Sequence, residues 1–370
     1  LSVVRREKRG RWALVAVVTT LLVAVPLVVS AALPRGERAD PGQLRALIAA
    51  SDRQPYSGYA ESSGQLGLPD LPNLADVTSL LNGTTRIRAW YASPALSRVD
   101  VLTTGGEHGV YHGPEGDFTW DYAANMLTQL IGEPPVRLPR AGDLLPPELA
   151  RRILAAAPGD PVSALEPRRI AGIASPGIRL TPADPDTTLG QVDIWADAAS
   201  GLPVRVEVTA RGQAAPILVT AFQQVDLKTP DLPPTAPARA PSTGYNVVSA
   251  PDVADALGAI GQVRLPAELA GRKLRPGELG GIYGTGLGSF FALALPRNLG
   301  GAATDAAGKA GAATIQLPGG TAVAQSIPPL TLMIVRSTVS RRWYLLAGLV
   351  RPVLLETAAR ELSTLPRSGR

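Results

Sequence analysis

The chain has 370 residues, 45% of them hydrophobic, which is enough for two ordinary domains. Most of its net charge of +5 sits in the first eleven residues, where Arg5, Arg6, Lys8, Arg9 and Arg11 face only Glu7, so the body is nearly neutral and offers no basic footprint for nucleic acid. Cysteine is absent, which excludes disulfides, thiolate catalysis, cysteine-ligated zinc and a lipid-modified lipobox cysteine.

From Trp12 to Leu33 no residue is charged, a run long enough to cross a hydrocarbon core ~30 Å thick. The basic residues 1–11 then hold the N-terminus in the cytoplasm and send the rest of the chain across. The expectation is a single uncleaved anchor over 12–33. Cleavage after Ser30-Ala31-Ala32 would release the protein instead.

After a polar tether, Asp40 and Pro41 open a short amphipathic helix in which Leu44, Leu47 and Ile48 have helical spacing. A first strand is expected over Tyr56–Ser62. The next stretch, broken by Pro69 and Pro72, reads as a loop carrying a short helix, and Asn82-Gly83 turns the chain into the next strand. From Thr84 to Leu130 five strand-length runs alternate apolar with polar residues, closed by Ser-Pro, Gly-Gly and Gly-Pro-Glu-Gly breaks. Successive side chains on a strand face opposite sides. Ile87, Ala89 and Tyr91 therefore share one face, and Phe118, Trp120 and Tyr122 share one. An antiparallel meander with such an apolar side must cover it with another layer or with a ligand.

Asp143–Ala157 is expected to be a helix entered by prolines. A second meander follows, with runs at 168–173, 177–181, 190–196, 202–210 and 216–225, in which Val192, Ile194, Val204, Val206 and Val208 alternate with polar or small partners.

The succession Tyr56-Ser-Gly-Tyr, Arg88-Ala-Trp-Tyr-Ala-Ser-Pro, Ser97-Arg-Val-Asp, Phe118-Thr-Trp-Asp-Tyr, the Pro-Pro-Glu-Leu-Ala helix and Asp197-Ala-Ala-Ser-Gly-Leu-Pro-Val-Arg-Val resembles the LolA/RseB superfamily, and within it the actinobacterial membrane-anchored relatives. These are outer-membrane lipoprotein carriers and sigma-E regulatory proteins of envelope stress. The resemblance spans roughly Gln43 to Asp226 and lies in the order of elements, with no single diagnostic motif. It implies an α+β fold: a strongly curved antiparallel half-barrel closed over by helices, with an apolar cavity for acyl chains. It also implies that a second domain engages a membrane partner of the anti-sigma-factor kind.

Five prolines between Thr229 and Pro241 exclude regular structure and mark a stiff linker. Residues 40–228 are thus expected to form the half-barrel, 229–241 the linker and 242–370 a smaller α+β domain. In the latter, a helix is expected over 250–260, strands follow from 281 to 347, Asn298–Gly311 reads as a mobile Gly/Ala-rich loop, and Pro352–Leu362 closes the chain as an amphipathic helix.

Chemistry-bearing candidates are few. His108 and His112 lie four apart on a strand pattern and would sit ~13 Å from one another, too far to share a metal. The run Gly284-Thr-Gly-Leu-Gly-Ser289 lacks the last glycine of a dinucleotide fingerprint and precedes a strand, so it reads as a turn. Asp184, Asp186, Asp193 and Asp197 fit no calcium loop and read as solvated turns. There is no Gly-x-Ser-x-Gly elbow and no serine–histidine–acid set. The expectation is a non-enzyme without metal or cofactor. Its expected ligand-binding residues are Tyr91, Phe118, Trp120, Tyr122, Val192, Ile194 and Val206, lining an apolar cavity for a lipid or lipoprotein acyl chain. Burial of that chain gains about 0.8 kcal/mol per CH₂. If the half-barrel is filled by its own side chains, the chain is instead a structural or protein-interaction module of the envelope.

Overall fold

The computed structural model describes residues 37–67, 75–132, 139–231, 242–249, 263–275, 281–309 and 311–366. The anchor expected over 12–33 and the helix expected over 250–260 lie outside the described residues. Among the described residues no helix is long and apolar enough to cross a membrane.

The chain is α+β, built on two sheets. The larger has twelve strands in the order β12-β6-β5-β4-β3-β2-β1-β11-β10-β9-β8-β7. β1 (Tyr56–Gly64) lies between β2 (Thr84–Ser93) and β11 (Leu218–Asp226), so it joins the two meanders that the sequence shows as separate runs. One of these is β2, β3 (Leu96–Thr103), β4 (Gly106–Gly113), β5 (Gly116–Asp121) and β6 (Met126–Ile131). The other is β7 (Val162–Ile170), β8 (Ile173–Leu180), β9 (Leu189–Ala196), β10 (Pro203–Ala210) and β11. The sheet is not wholly antiparallel. β12 (Gly244–Ser249), from beyond the proline-rich segment, lies parallel to β6 with Tyr245 beside Leu127. Six residues placed by sequence with the second unit thus pair with the first sheet.

Three helical pieces cover one face, here called the inner face. Helix α1 (Pro41–Ala49) starts where Asp40 accepts a hydrogen bond from the Gln43 amide, and it turns Leu44 and Ile48 inward. Helix α3 (Pro146–Ala156) is entered by two prolines and buries Ala150 and Leu154. The short 3₁₀ turn Ala141–Leu144 lies over β2 and β3. Their apolar side chains form one core with Ala60, Ile87, Ile178, Leu180 and Phe222. The short helix expected in the stretch after β1 is α2 (Ala75–Asn82), and it sits beside β1.

The second sheet runs β15-β16-β20-β19-β18-β17. Its strands are β15 (Gly281–Tyr283), β16 (Phe290–Leu295), β17 (Ala313–Leu317), β18 (Gly320–Ile327), β19 (Leu330–Ser337) and β20 (Arg342–Gly348). β13 (Glu268–Leu269) and β14 (Arg272–Lys273) form a separate small hairpin. Helix α5 (Pro352–Thr364) packs Leu355, Ala358, Ala359 and Leu362 on one face, against Met333, Val335, Tyr344 and Leu346. The other face carries helix α4 (Arg297–Lys309), whose Gly300 lies so close to the Trp343 side chain that no Cβ would fit. Residues 298–311 were expected to be a mobile loop, and this is corrected. Four alanines favour the helix, and contact with the sheet offsets the helix cost of its three glycines.

The β8–β9 loop holds the two sheets together. Asp184 accepts two hydrogen bonds from the Arg272 guanidinium, at 2.5 and 3.0 Å, and Asp186 bridges Arg272 and Arg351. The Thr187 hydroxyl donates to the carbonyls of Leu287 and Leu349, and the Thr188 amide donates to Leu349. Of the four aspartates expected in solvated turns, Asp184 and Asp186 are instead half-buried members of an inter-sheet clasp, Asp193 is buried on β9 against Arg179, and Asp197 lies in the turn after β9, bonded to Ser200. Sequence spacing could not show the clasp, because Arg272 and Arg351 are remote in the chain.

Candidate functional site

Residues directly opposite in a sheet point to the same side, so pairing carries a face from strand to strand. The inner face runs from Ile87 through Val101 to His108 and Asp121, and from Ala89 through Val99 to Val110 and Thr119. In the other direction it runs from Thr220 through Val206 to Ile194 and Ile178, with Val208, Val192 and Leu180 in the next row. The outer face runs Trp90, Arg98, Tyr111, Phe118, Gln129 in one row and Arg88, Asp100, Gly109, Trp120, Leu127 in the next.

The seven residues predicted to line one cavity fall into three groups. Val192, Ile194 and Val206 are fully buried in the inner core beneath the helical layer. Tyr91 is also on the inner face, half-buried, its ring stacked on Tyr56 at 5.3 Å between centroids. Phe118 and Trp120 lie on the outer face, half-buried. Tyr122 sits in the turn after β5, 62% exposed, and joins neither set.

Two concave regions result. On the inner face, a pocket of about 450 Å³ opens where the helical layer ends. Its apolar floor comprises Tyr56, Ala89, Tyr91, Val99, Val101 and Val110, and its rim includes Asp143, Glu148, Arg151 and Arg152. The rim is charge-compensated: Arg151 pairs with Glu148 at 2.5 Å and Arg152 with Asp143 at 2.7 Å. Beyond Val110 the inner face turns polar. His112 pairs with Asp117 across β4 and β5, and His108 lies 3.5 Å from Asp121. These are two separate pairs, and among the described residues no three such groups converge to hold a metal.

On the outer face, the Arg98 guanidinium lies over the Trp90 ring at 4.8 Å and the Tyr111 ring at 4.9 Å, and it donates two hydrogen bonds to Asp100. Asp100 is only 1% exposed and depends on this partner. Burial pushes the Tyr111 phenol up to about 12. Gly109 is required here, since a Cβ would strike both the Tyr111 ring and the Asp100 carboxylate. Beside this cluster an open groove of about 600 Å³ is lined by Ser57, Tyr59, Arg88, Trp90, Leu102 and Asp226. No described helix packs on the outer side of β4, β5 or β6.

Sequence reasoning missed Arg98 and Tyr111, although Arg98 stands within a quoted run. The available signal was Arg98 two residues before Asp100, on the same face of a strand rich in apolar neighbours.

No sequence-family model matches the chain, and no curated protein matches it. Solved structures do overlap it. The MucA/MucB complex of Pseudomonas aeruginosa gives 17% identity over 87% of this chain and 97% of that one, at a TM-score of 0.46. MucB bound to periplasmic MucA gives 15% identity over the same shares, also at 0.46. A LolA-superfamily protein of Nitrosomonas europaea gives 11% identity over 53% of this chain and 96% of that one, at 0.22. At these TM-scores the overlaps are similarities of shape too loose to carry an argument about fold or function.

Proposed function

We propose that this chain is a non-catalytic protein-interaction protein of the cell envelope, a half-barrel of the LolA/RseB type that engages a membrane partner of the anti-sigma-factor kind. The observation that carries the reading is the outer face of β2–β6. Trp90, Arg98, Phe118 and Trp120 lie there half-buried around the buried Tyr111, with no described helix above them. Tryptophan, tyrosine and arginine in a contiguous, partly desolvated patch are the composition of a binding hot spot. A face meant only for water would carry polar residues. The well-filled inner core around Val192, Ile194 and Val206 supports the same reading, because it leaves little room for a ligand under α1 and α3.

The partner predicted for residues 242–370 fits this surface, since β12 borders it and the Tyr245 hydroxyl bonds to Gln129. In this reading residues 12–33 hold the protein to the membrane, 40–228 wrap as the half-barrel on its outer side, and 229–241 link it to the rest. The actinobacterial kinship is carried by the order of motifs in the sequence.

A second reading is favoured by the inner pocket. Its apolar floor and charge-paired rim suit an uncharged chain such as a lipoprotein acyl group, with Tyr91 in its wall. Binding there and partner engagement on the opposite face are compatible, as a sensor would require.

Photo-crosslinking from position 120 in the full membrane-borne chain tests the first reading. Capture of one single-pass membrane protein, lost with Trp90→Asp, is the expected outcome. If position 120 captures nothing while a lipid co-purifies and is lost with Tyr91→Arg, the acyl-binding reading replaces it.

A further inference from the structure

An open sheet edge presents unpaired N–H and C=O groups, and proteins guard such edges with charge, proline, bulges or shortness. Two of the four edges here, β7 and β15, are guarded. β7 carries a register slip between Leu165 and Arg168 with Pro167 inside it, followed by Arg168 and Arg169. β12 pairs with β6 in unbroken parallel register over Gly244–Ser249, and its continuation lies outside the described residues. β15 has three residues, and Leu274 bridges to Tyr283 beside it.

β17 has none of these devices. Its five residues, Ala313-Thr-Ile-Gln-Leu317, pair in unbroken register with β18 and with no second strand among the described residues. Between Lys309 and Arg336 there is no charged side chain at all. Ile315 is half-buried at the margin of the core beneath α5, while Thr314 and Gln316 are exposed on the other face. The strand therefore combines an apolar inner residue, β-favouring neighbours and an unprotected edge.

We infer that β17 pairs antiparallel with the same strand of a second copy, about a two-fold axis at Ile315, joining two six-stranded sheets into one. A two-fold contact is self-complementary, so each residue must tolerate its symmetry mate. Here Ile315 faces Ile315 of the partner subunit and extends the apolar layer under α5. Thr314 falls opposite Gln316 of the partner subunit, a neutral polar pair. No like charges meet, which is the feature that would otherwise forbid self-pairing. Five residues bury little surface, so the association is reversible and concentration-dependent.

Sedimentation equilibrium of the full chain over a concentration series tests this, with two double variants at exposed positions that leave the core intact. Thr314→Lys with Gln316→Lys sets lysine against lysine across the axis, and a monomer at every concentration is expected. Thr314→Lys with Gln316→Glu sets lysine against glutamate, and the dimer is expected to persist, its Kd within about tenfold of the parent. Amide exchange of β17 should slow as the parent dimer forms. A parent chain that stays monomeric overturns the inference. So does a lysine–lysine variant that dimerises like the parent, which would place the interface elsewhere, or a lysine–glutamate variant as monomeric as the lysine–lysine one, which would exclude this register.

Discussion

On β8 to β11 the inner face is closed by α1 and α3, and the outer face carries charges in ladders: Arg179 with Asp193, and Arg168 and Arg205 with Glu207. On β4 and β5 the sides exchange character. The inner face holds His108, His112, Asp117, Thr119 and Asp121, while the outer face holds Tyr111, Phe118 and Trp120. The apolar side thus crosses the sheet within the first meander. The half with a helical lid uses its inner face for stability; the half without one leaves Phe118 and Trp120 half-buried on its outer face, with Tyr111 buried beside them. Amphipathic alternation reports that a strand has two faces, and the helices decide which of them is inside.

That contrast can be broken or sharpened by mutation. The largest effect is expected in the covered half: Ile194→Ala removes a fully buried side chain and should cost about 2–5 kcal/mol by urea unfolding. Phe118→Ala, on the uncovered half, should cost less than about 1 kcal/mol while abolishing the partner crosslinked from position 120. Equal losses at both sites would dissolve the distinction. Next is Arg98→Met, which leaves the buried Asp100 without its cation. About 2–4 kcal/mol is expected, at the low side for a buried pair because the Arg98 side chain is 28% exposed. Restoration by Asp100→Asn in the same chain would show that the charge, and not the aromatic stack, sets the cost.

Between the two sheets, Gly288→Ala would drive a methyl group into the Asp184 carboxylate. Loosening of the clasp by about 1–3 kcal/mol is expected, read as faster proteolysis at the β8–β9 loop with the inner core still protected. The smallest effects come with pH. The hydrogen bond from Arg272 holds Asp184 below its ordinary value, so its contribution is present above pH ~4 and is lost only as pH falls through the depressed value. The clasp should therefore survive at pH 5. At the other extreme Tyr111 is raised from 10.0 to about 12, so its contribution is complete below pH 10 and fades as pH rises towards 12. Ultraviolet titration of Tyr111→Phe against the parent would locate that transition.

The strands of the first meander, β9 to β11, the two proline-entered helices and the terminal helix are legible because period-two alternation, turn residues and proline position are local signals; the runs expected at 168–173 and 177–181 miss β7 and β8, since the turn falls at Ala171-Gly172 inside the first of them. Residues 297–309 were misread because glycine content was weighed without the sheet that packs on them. The mixed sheet was hidden for a related reason: nothing in Gly244–Ser249 names β6 as its neighbour. The candidate site was half legible. Tyr91, Phe118 and Trp120 were singled out by their alternation, yet their division between two faces depends on strand pairing.

By itself the sequence determined a neutral, cysteine-free α+β chain behind a basic, apolar N-terminus, with two meanders and a second unit beyond a proline-rich stretch. Composition and periodicity suffice for that, since each is set within a few residues. Only the tertiary structure decided that β1 joins the meanders, that Asp184 and Asp186 bind distant arginines, and that the aromatic row lies opposite the helices. Those outcomes depend on contacts between residues far apart in the chain, where register and helix placement select one face from two that local patterning leaves equivalent.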